Sequence, residues 1–473
     1  MPAVVFRKRS MKTDQPAAGA SPGLFRILGY SLPALPLAVM LIPVNAFLPF
    51  FYNDVVGISA ALVGMILLYS RLLDVITDPL VGWMSDRTRI KFGRRRTWMF
   101  IGAPIFVFGA WMMFMPPEGA GAAHLFIATT TVFFGWTCIQ IPYQAWGAET
   151  ITNYDRRAVL SGMRETFTNL GIVGAASIPI LAAMFFGHDS IDRFVMAMVG
   201  GAVMIAMPLA VLIASTSFPD RPAEKQISKQ PQTGLLSRIR SAEFTRPFVL
   251  VLISYVCMGL AKGIQNAMTV YYATYVLKQP EVVGYVLFAA FSGVIIGTPL
   301  WVALSKTLGK HRSVAASLIL AVAILMIFAV PLGPGQGWTF VVIEFFVGLA
   351  AAGYLVLPAA VIADAVDYDA VQKGRMRYGL HFASWSLMQK LVHAFAIGLA
   401  LPVLAFFGFD DPAVSKDSLA PVIRMLYLVA PAPLYIIGAI LFWQFPIDRK
   451  KHAEIRRIIE EDGLLEKSFR ATG

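Results

Sequence analysis

Charge is scarce in this chain. Asp, Glu, Lys and Arg together make up 14% of its 473 residues, against roughly 25% in ordinary soluble domains. With 57% of residues hydrophobic, the composition rules out disorder and argues against a soluble globular fold. Most of the length must lie where charge is expensive, which is lipid. Cysteine is scarcer still. Cys138 and Cys257 sit inside apolar runs with no metal-ligand spacing, so a disulfide framework is not implied. Also missing are a Ser–His–Asp spacing, a cluster of metal ligands, a phosphate-binding glycine loop and a soluble output domain. A membrane enzyme or a non-transporting sensor is therefore a distant alternative, and no cofactor is expected. Acidic residues number 28 against 40 Lys and Arg, a formal net charge of +12. In a membrane chain such an excess belongs in cytoplasmic loops, and no nucleic-acid partner is expected.

What is present is a succession of apolar runs. A window of about 19 residues finds them near 31–52, 59–84, 97–115, 122–147, 160–186, 194–217, 246–275, 282–305, 313–332, 338–363, 380–408 and 422–445. Each is about 20 residues or longer, enough to cross a hydrocarbon core of roughly 30 Å. An even count of twelve places both termini on one side. The connection after the second run reads S-D-R-T-R-I-K-F-G-R-R-R. Those after the sixth and eighth carry Arg221, Lys225, Lys229, Arg238 and Arg240, and Lys306, Lys310 and Arg312. Alternate connections such as Y-N-D-V-V-G-I-S-A and M-P-P-E-G-A-G-A-A-H have no Lys or Arg, and the others contribute only Arg193, Lys278 and Lys416. The positive-inside rule thus predicts cytoplasmic basic loops and tails around a multi-pass protein of the plasma membrane, in bacteria the inner membrane. Residues 1–20, with Arg7, Lys8 and Arg9 but no following apolar core and cleavage site, read as a basic tail rather than a signal peptide. The run R-K-K-H-A-E-I-R-R-I-I-E-E near the other end reads as a short amphipathic helix on the inner leaflet, with a solvated end as the alternative.

Residues 218–243 are the longest hydrophilic break and divide six runs from six. The expected organisation is an N-terminal bundle with its tail over 1–217, a cytoplasmic linker over 218–243, a C-terminal bundle over 244–446 and a tail over 447–473. Sliding the chain on itself by about 220 positions lays P-L-V-G-W-M-S at 79–85 over P-L-W-V-A-L-S at 299–305, as a duplicated six-helix unit requires. The copies differ in charge: Arg71, Asp74 and Asp78 in the first correspond to Phe291, Val294 and Thr298 in the second. Offsets of three and four put the three charged residues on one helical face. One basic residue can serve one carboxylate; the second leaves a negative charge that calls for a cation, the alternative being an ion pair that merely joins helices.

The run R-L-L-D-V-I-T-D-P-L-V-G-W-M-S-D-R-T-R-I-K-F-G-R-R-R-T-W, preceded by Y-N-D-V-V-G and followed by I-P-Y and D-A-V-D-Y with a downstream lysine, resembles the glycoside–pentoside–hexuronide cation symporters of the major facilitator superfamily, typified by the melibiose permease. The resemblance spans essentially the whole chain. It implies an all-α membrane protein of twelve transmembrane helices in two pseudo-symmetric six-helix bundles around a central cavity with alternating access. By the resemblance, Asp74 and Asp78 ligate the coupling Na⁺ or H⁺, Thr137 joins them at the cation site, and Lys390 lies near cation and sugar. Carboxylate and hydroxyl oxygens suit a hard cation; a proton can use the same carboxylates.

The departures bear on substrate. Where the melibiose permease holds galactosyl hydroxyls with two aspartates, this chain has Ala38 and Gln140; where it has a tryptophan, Gln144 stands, flanked by Tyr143 and Trp146. Its sugar-binding arginine falls at Glu165, one residue from Arg164. Losing two acids while keeping Arg164, Lys262 and Lys390 tilts the cavity toward positive charge. The expected substrate is a sugar or glycoside, an acidic one such as a uronide being favoured, contacted by Gln140, Tyr143, Gln144, Trp146, Arg164, Lys262 and Lys390. A lysophospholipid or other amphiphile is the alternative, since some animal relatives of the family carry lysophospholipids. Asp86, Arg87, Arg94, Arg95 and Arg96, opposite Asp364 and Asp367, are expected to gate the cytoplasmic path by bonding across the halves. The expected partners are the substrate, the coupling cation and membrane lipids, with the chain a monomer because each encloses its own cavity.

Overall fold

The computed structural model describes residues 23–88, 90, 92–150, 154–217, 244–373 and 378–461. The basic N-terminal tail, the linker 218–243 with its five basic residues, and the tail beyond 461 lie outside the described residues. Twelve helices are long and apolar enough to span a membrane: α1 Leu24–Val55, α2 Ala60–Arg87, α3 Arg94–Phe114, α4 Ala122–Gly147, α5 Val159–Phe186, α6 Arg193–Ser217, α7 Arg246–Val276, α8 Pro280–Leu308, α9 Lys310–Ala329, α10 Gly337–Lys373, α11 Ser384–Phe406 and α12 Lys416–Trp443. A thirteenth helix, α13 Arg449–Glu461, follows. No strand occurs among the described residues. Helical backbone satisfies its own polar groups in lipid, which is why every run takes this form. Interior prolines such as Pro79 and Pro299 are tolerated because neighbouring helices and side chains can absorb the freed carbonyls.

The duplication suggested by sequence is visible in the backbone. Wide π-turns close α1 at Phe51–Val55 and α7 at Tyr272–Val276, with bonds Val56 N to Phe51 O and Leu277 N to Tyr272 O, both 3.0 Å. One residue further on, each copy turns into left-handed backbone, at Gly57 (φ 88°) and Lys278 (φ 58°). Across the halves α2 packs on α11, α5 on α8, and α1 on α7. Exchange of the two bundles converts the first contact into the second and leaves the third on the axis. Equivalent glycines make the crossings close. A Cβ on Gly64 of α2 would meet the Leu401 Cβ of α11 at 2.9 Å, and one on Gly284 of α8 would meet Ile180 of α5 at 2.8 Å.

Both glycines lie one turn inside the helix ends remote from the basic loops, and there the halves share one core. A single apolar cluster runs from α1–α6 into Ile264–Leu277, Val282–Leu287, Ala396–Leu404 and Ile423–Leu428, whereas the basic end of the second half has its own cluster. Polar contacts reinforce the closed end. Asp410, between α11 and α12, accepts from Asn53 Nδ2 at 3.0 Å and from the first amide of α2, Ala60 N, at 2.9 Å to each oxygen. Asp54 accepts from the Tyr275 hydroxyl and the Lys416 ammonium. The Tyr271 hydroxyl donates to Pro49 O and Asn53 Oδ1, both at 3.1 Å.

Two differences from the sequence reading concern the basic end. The apolar run predicted to end near 363 continues as helix α10 to Lys373; a hydropathy window stops at the polar D-A-V-D-Y-D segment although the helix projects past the hydrocarbon. Helix α13 is amphipathic as expected, but its apolar Ile455 and Ile459 are buried against the second half, in the cluster with Val361, Ile362 and Phe445, rather than facing a leaflet. Asp448 caps it, accepting from Lys451 N at 2.8 Å, and the backbone N–H groups hold this exposed carboxyl below the usual aspartate range.

Candidate functional site

Three helices converge on Asp78. Its Oδ1 accepts from the Thr137 hydroxyl of α4 at 2.9 Å, and its Oδ2 is ion-paired with the Lys390 ammonium of α11. Asp74, one turn earlier on α2 and buried, is held by Arg71 at 3.4 Å. The Arg71 guanidinium rests over the Phe133 ring of α4, 3.8 Å from its centroid, so its remaining charge is met by an aromatic face. The structure therefore brings together Asp74, Asp78, Thr137 and Lys390. It adds a residue that sequence reasoning passed over: the Thr77 hydroxyl, beside Asp78 and three residues from Asp74, is buried with no hydrogen-bond partner. Threonines inside helices ordinarily bond the carbonyl four residues back, as Thr129 and Thr269 do here, so no sequence signal marks the exception. Two carboxylates and the Thr137 hydroxyl form an oxygen-rich set for a small hard cation. No group of three or more His, Cys, Asp or Glu that could hold a metal occurs among the described residues.

The other expected contact residues form two patches. Toward the basic end, the Tyr143 ring stacks on Tyr30 at 4.7 Å and lies under the Arg164 guanidinium at 5.2 Å. The Tyr30 hydroxyl donates to the Tyr143 carbonyl, while the Tyr143 hydroxyl is buried without a hydrogen-bond partner. Gln140 accepts from the Trp136 indole. Gln144 and Glu165 are exposed. Trp146 is buried, edge-on to Tyr30 and beneath Arg96. Ala38 packs against Gly171. His393 donates from Nδ1 to the Gln389 carbonyl at 2.9 Å, the ordinary state of an interior histidine.

Lys262 stands apart on α7. Its ammonium makes no hydrogen bond or ion pair with any described residue, although it lies within Coulombic reach of Glu344. Glu344 on α10 is 4% exposed and accepts from the Tyr427 hydroxyl of α12 at 3.0 Å. A turn from Lys262, Gln265 accepts from Tyr435 at 2.8 Å and donates to the Tyr427 carbonyl at 3.3 Å. These bonds leave Lys262 as a partly exposed cation against a tied polar wall.

The described contacts of the expected gating residues lie inside their own half. Asp86 accepts from Arg95 at 2.6 Å, and Arg95 also donates to Ser85 at 2.7 Å. Arg94 reaches the Asp86 carbonyl, and Arg87 covers the Trp83 ring. Asp364 holds Lys310 at 2.7 Å and His452 at 3.3 Å, and Asp367 holds His452 at 3.4 Å and Arg456 at 3.6 Å. The lock at the opposite end, from Asn53, Asp54 and Ala60 to Tyr271, Tyr275, Asp410 and Lys416, was not foreseen. Its partners lie more than two hundred residues apart, and Y-N-D-V-V-G carried no hint of what it would meet.

Two six-helix bundles around a polar centre, with one end sealed, define a secondary transporter of the major facilitator fold. The sequence profile described as MFS/sugar transport protein matches residues 29–449, and the chain belongs to that family. It is 25% identical over 423 residues to the inner membrane symporter YicJ of Escherichia coli (88% of this chain, 90% of the relative). It is 22% identical over 445 residues to the glucuronide carrier protein homolog of Escherichia coli (92% and 95%). The structure of the nucleoside transporter NupG superposes with a TM-score of 0.62 at 12% identity, over 89% of this chain and 99% of that one, which speaks to fold alone. The protein is a multi-pass membrane transporter of the sugar and glycoside symporter family.

Proposed function

We propose that the protein is a symporter driven by Na⁺ or H⁺ that carries a sugar or glycoside by alternating access, with a sugar acid such as a uronide as the substrate class. The observation that carries the coupling is the double engagement of Asp78. In the conformation described, Lys390 occupies the carboxylate that a coupling ion needs. An incoming cation, met by Asp74, Asp78 and the Thr137 hydroxyl, displaces that ammonium. The freed Lys390 adds a positive charge to the cavity, so cation and anionic substrate raise each other's affinity by the same factor. The substrate class rests on Lys262, a charged side chain inside the membrane that makes no hydrogen bond or ion pair with any described residue. The family likeness to a glucuronide carrier homolog points the same way.

With the basic end cytoplasmic, together with both termini, the conformation described faces inward. Outward opening would break the lock around Asp410 and bring Arg87, Arg94, Arg95 and Arg96, with Asp86, toward Asp364 and Asp367. The chain works as a monomer in the bacterial inner membrane, since each twelve-helix chain encloses its own cavity. The test is thermal unfolding of purified protein with neutral glycosides, uronates and lysophospholipids, each with and without NaCl. A ligand at 100 times its Kd adds about 2.7 kcal/mol. Stabilisation by uronates that strengthens with sodium or on acidification is the expected result. Stabilisation by neutral glycosides alone would remove the acidic substrate class, and by lysophospholipid alone the sugar reading.

A further inference from the structure

Among the described residues, two ion pairs in contact lie inside the spans where the halves meet, Arg71 with Asp74 and Lys390 with Asp78. A third couple, Lys262 on α7 and the buried Glu344 on α10, lies within Coulombic reach without contact. Arg164, five residues into α5, is set apart from these pairs by its seat over the Tyr143 ring, 5.2 Å from the centroid. The first two pairs are in direct contact. The third is not, since the Lys262 ammonium forms no ion pair, while Glu344 is buried and fixed by Tyr427. Glu344 thus balances the charge of Lys262 without covering it.

We propose that these pairs enforce coupling by electroneutrality: the core changes orientation only at zero net charge, so a cation moves only together with a monoanionic substrate. Empty, the three pairs sum to zero. A cation alone at Asp74 and Asp78 leaves the core at plus one, and an anion alone at Lys262 leaves it at minus one. Either uncompensated charge would have to pass through a state closed to water on both sides, where it costs several kcal/mol. With both ligands bound the sum returns to zero. Glu344 is here a positioning residue that sets the resting charge, and the inference rests on the proposed symport of an acidic sugar.

The test is a charge series in proteoliposomes, with Glu344→Gln, Lys262→Gln and the double variant. Glutamine at 344 keeps an acceptor for Tyr427 but leaves the empty core at plus one, so glucuronate alone restores neutrality. Its sodium-independent uptake should rise at least tenfold above wild type. Lys262→Gln leaves the empty core at minus one, so labelled sodium, or protons followed with a trapped dye, should cross without substrate. The double variant is neutral again and should lose both leaks, which a merely structural role for Glu344 would not produce. Wild-type sodium–glucuronate uptake should be insensitive to an imposed membrane potential. The proposal is overturned if Glu344→Gln, still stabilised by glucuronate in thermal unfolding, remains as sodium-dependent as wild type and Lys262→Gln passes no ion alone. If wild type neither binds nor carries glucuronate, the substrate reading falls, and the substrate-free ion leak of Lys262→Gln and its loss in the double variant still decide the charge rule.

Discussion

Asp78 differs from Asp74 in what holds it. Asp74 is paired within its own helix by Arg71, whereas Asp78 is shared between α4 and α11, one from each half. A change at 78 therefore acts on the relation between the halves as well as on an oxygen of the proposed cation site. Asp78→Asn keeps the shape and the bond from Thr137 but removes the charge that holds Lys390 and that the proposed coupling cation needs. Accumulation against a gradient should vanish, the ratio of internal to external substrate falling to about one, while exchange of substrate across the membrane persists. Uptake and counterflow in membrane vesicles separate the two, and undiminished sodium- or proton-driven accumulation would sink the assignment. The carboxylate pair was legible from spacing because an excess negative charge on one face of a membrane helix has few explanations. Thr137 and Lys390 came from resemblance. That Lys390 is engaged and Lys262 is not could be read only from the fold, because both are lone lysines in apolar runs.

At the scale of elements, the crossing of α2 with α11 and its image, α8 with α5, depend on having no side chain at Gly64 and Gly284. Twelve helices and their grouping were legible because hydropathy and loop charge are local properties. The crossings were not, since nothing in A-A-L-V-G-M or V-G-Y-V-L-F says which helix will approach. The same limit hid the seat of α13, whose amphipathic pattern fits a lipid surface and a protein groove equally well. Gly64→Val would force a branched side chain into Leu401 and the Ile397 carbonyl. Overpacking of this kind costs about 1–3 kcal/mol, and here it bears on the closed state of one end. The expected result is a roughly fivefold to hundredfold shift toward the state open at that end. A cysteine at Asn45, in a background with Cys138 and Cys257 replaced by serine, should become reactive to an impermeant thiol reagent added from that side. Unchanged labelling in folded protein would show that the crossing does not govern closure.

For the whole molecule, the same apolar cluster and polar lock that stabilise one end are what transport must break. Asp410 sits at the centre of this conflict, because a carboxylate of the second half caps the first turn of α2 in the first half. An anion at a helix N-terminus is favourable through both the free amides and the dipole. Once the ends part, α2 falls back on its own Ser59, whose hydroxyl accepts from Leu62 N at only 3.4 Å. The cap is thus strong in one conformation and weak in the other, which biases the equilibrium without contributing equally to both. Asp410→Ala removes the bonds to Ala60 N and Asn53, worth about 1.5–3 kcal/mol for hydrogen bonds to a charged group. It should raise the population open at this end by roughly tenfold to a hundredfold. Spin labels at the exposed Leu62 and Trp338, one in each half, should report a longer distance in the variant, and an unchanged distribution would assign closure to the apolar cluster alone. Because Asp410 is not part of the proposed cation site at Asp74 and Asp78, the variant should still bind sodium while resting in the opposite orientation.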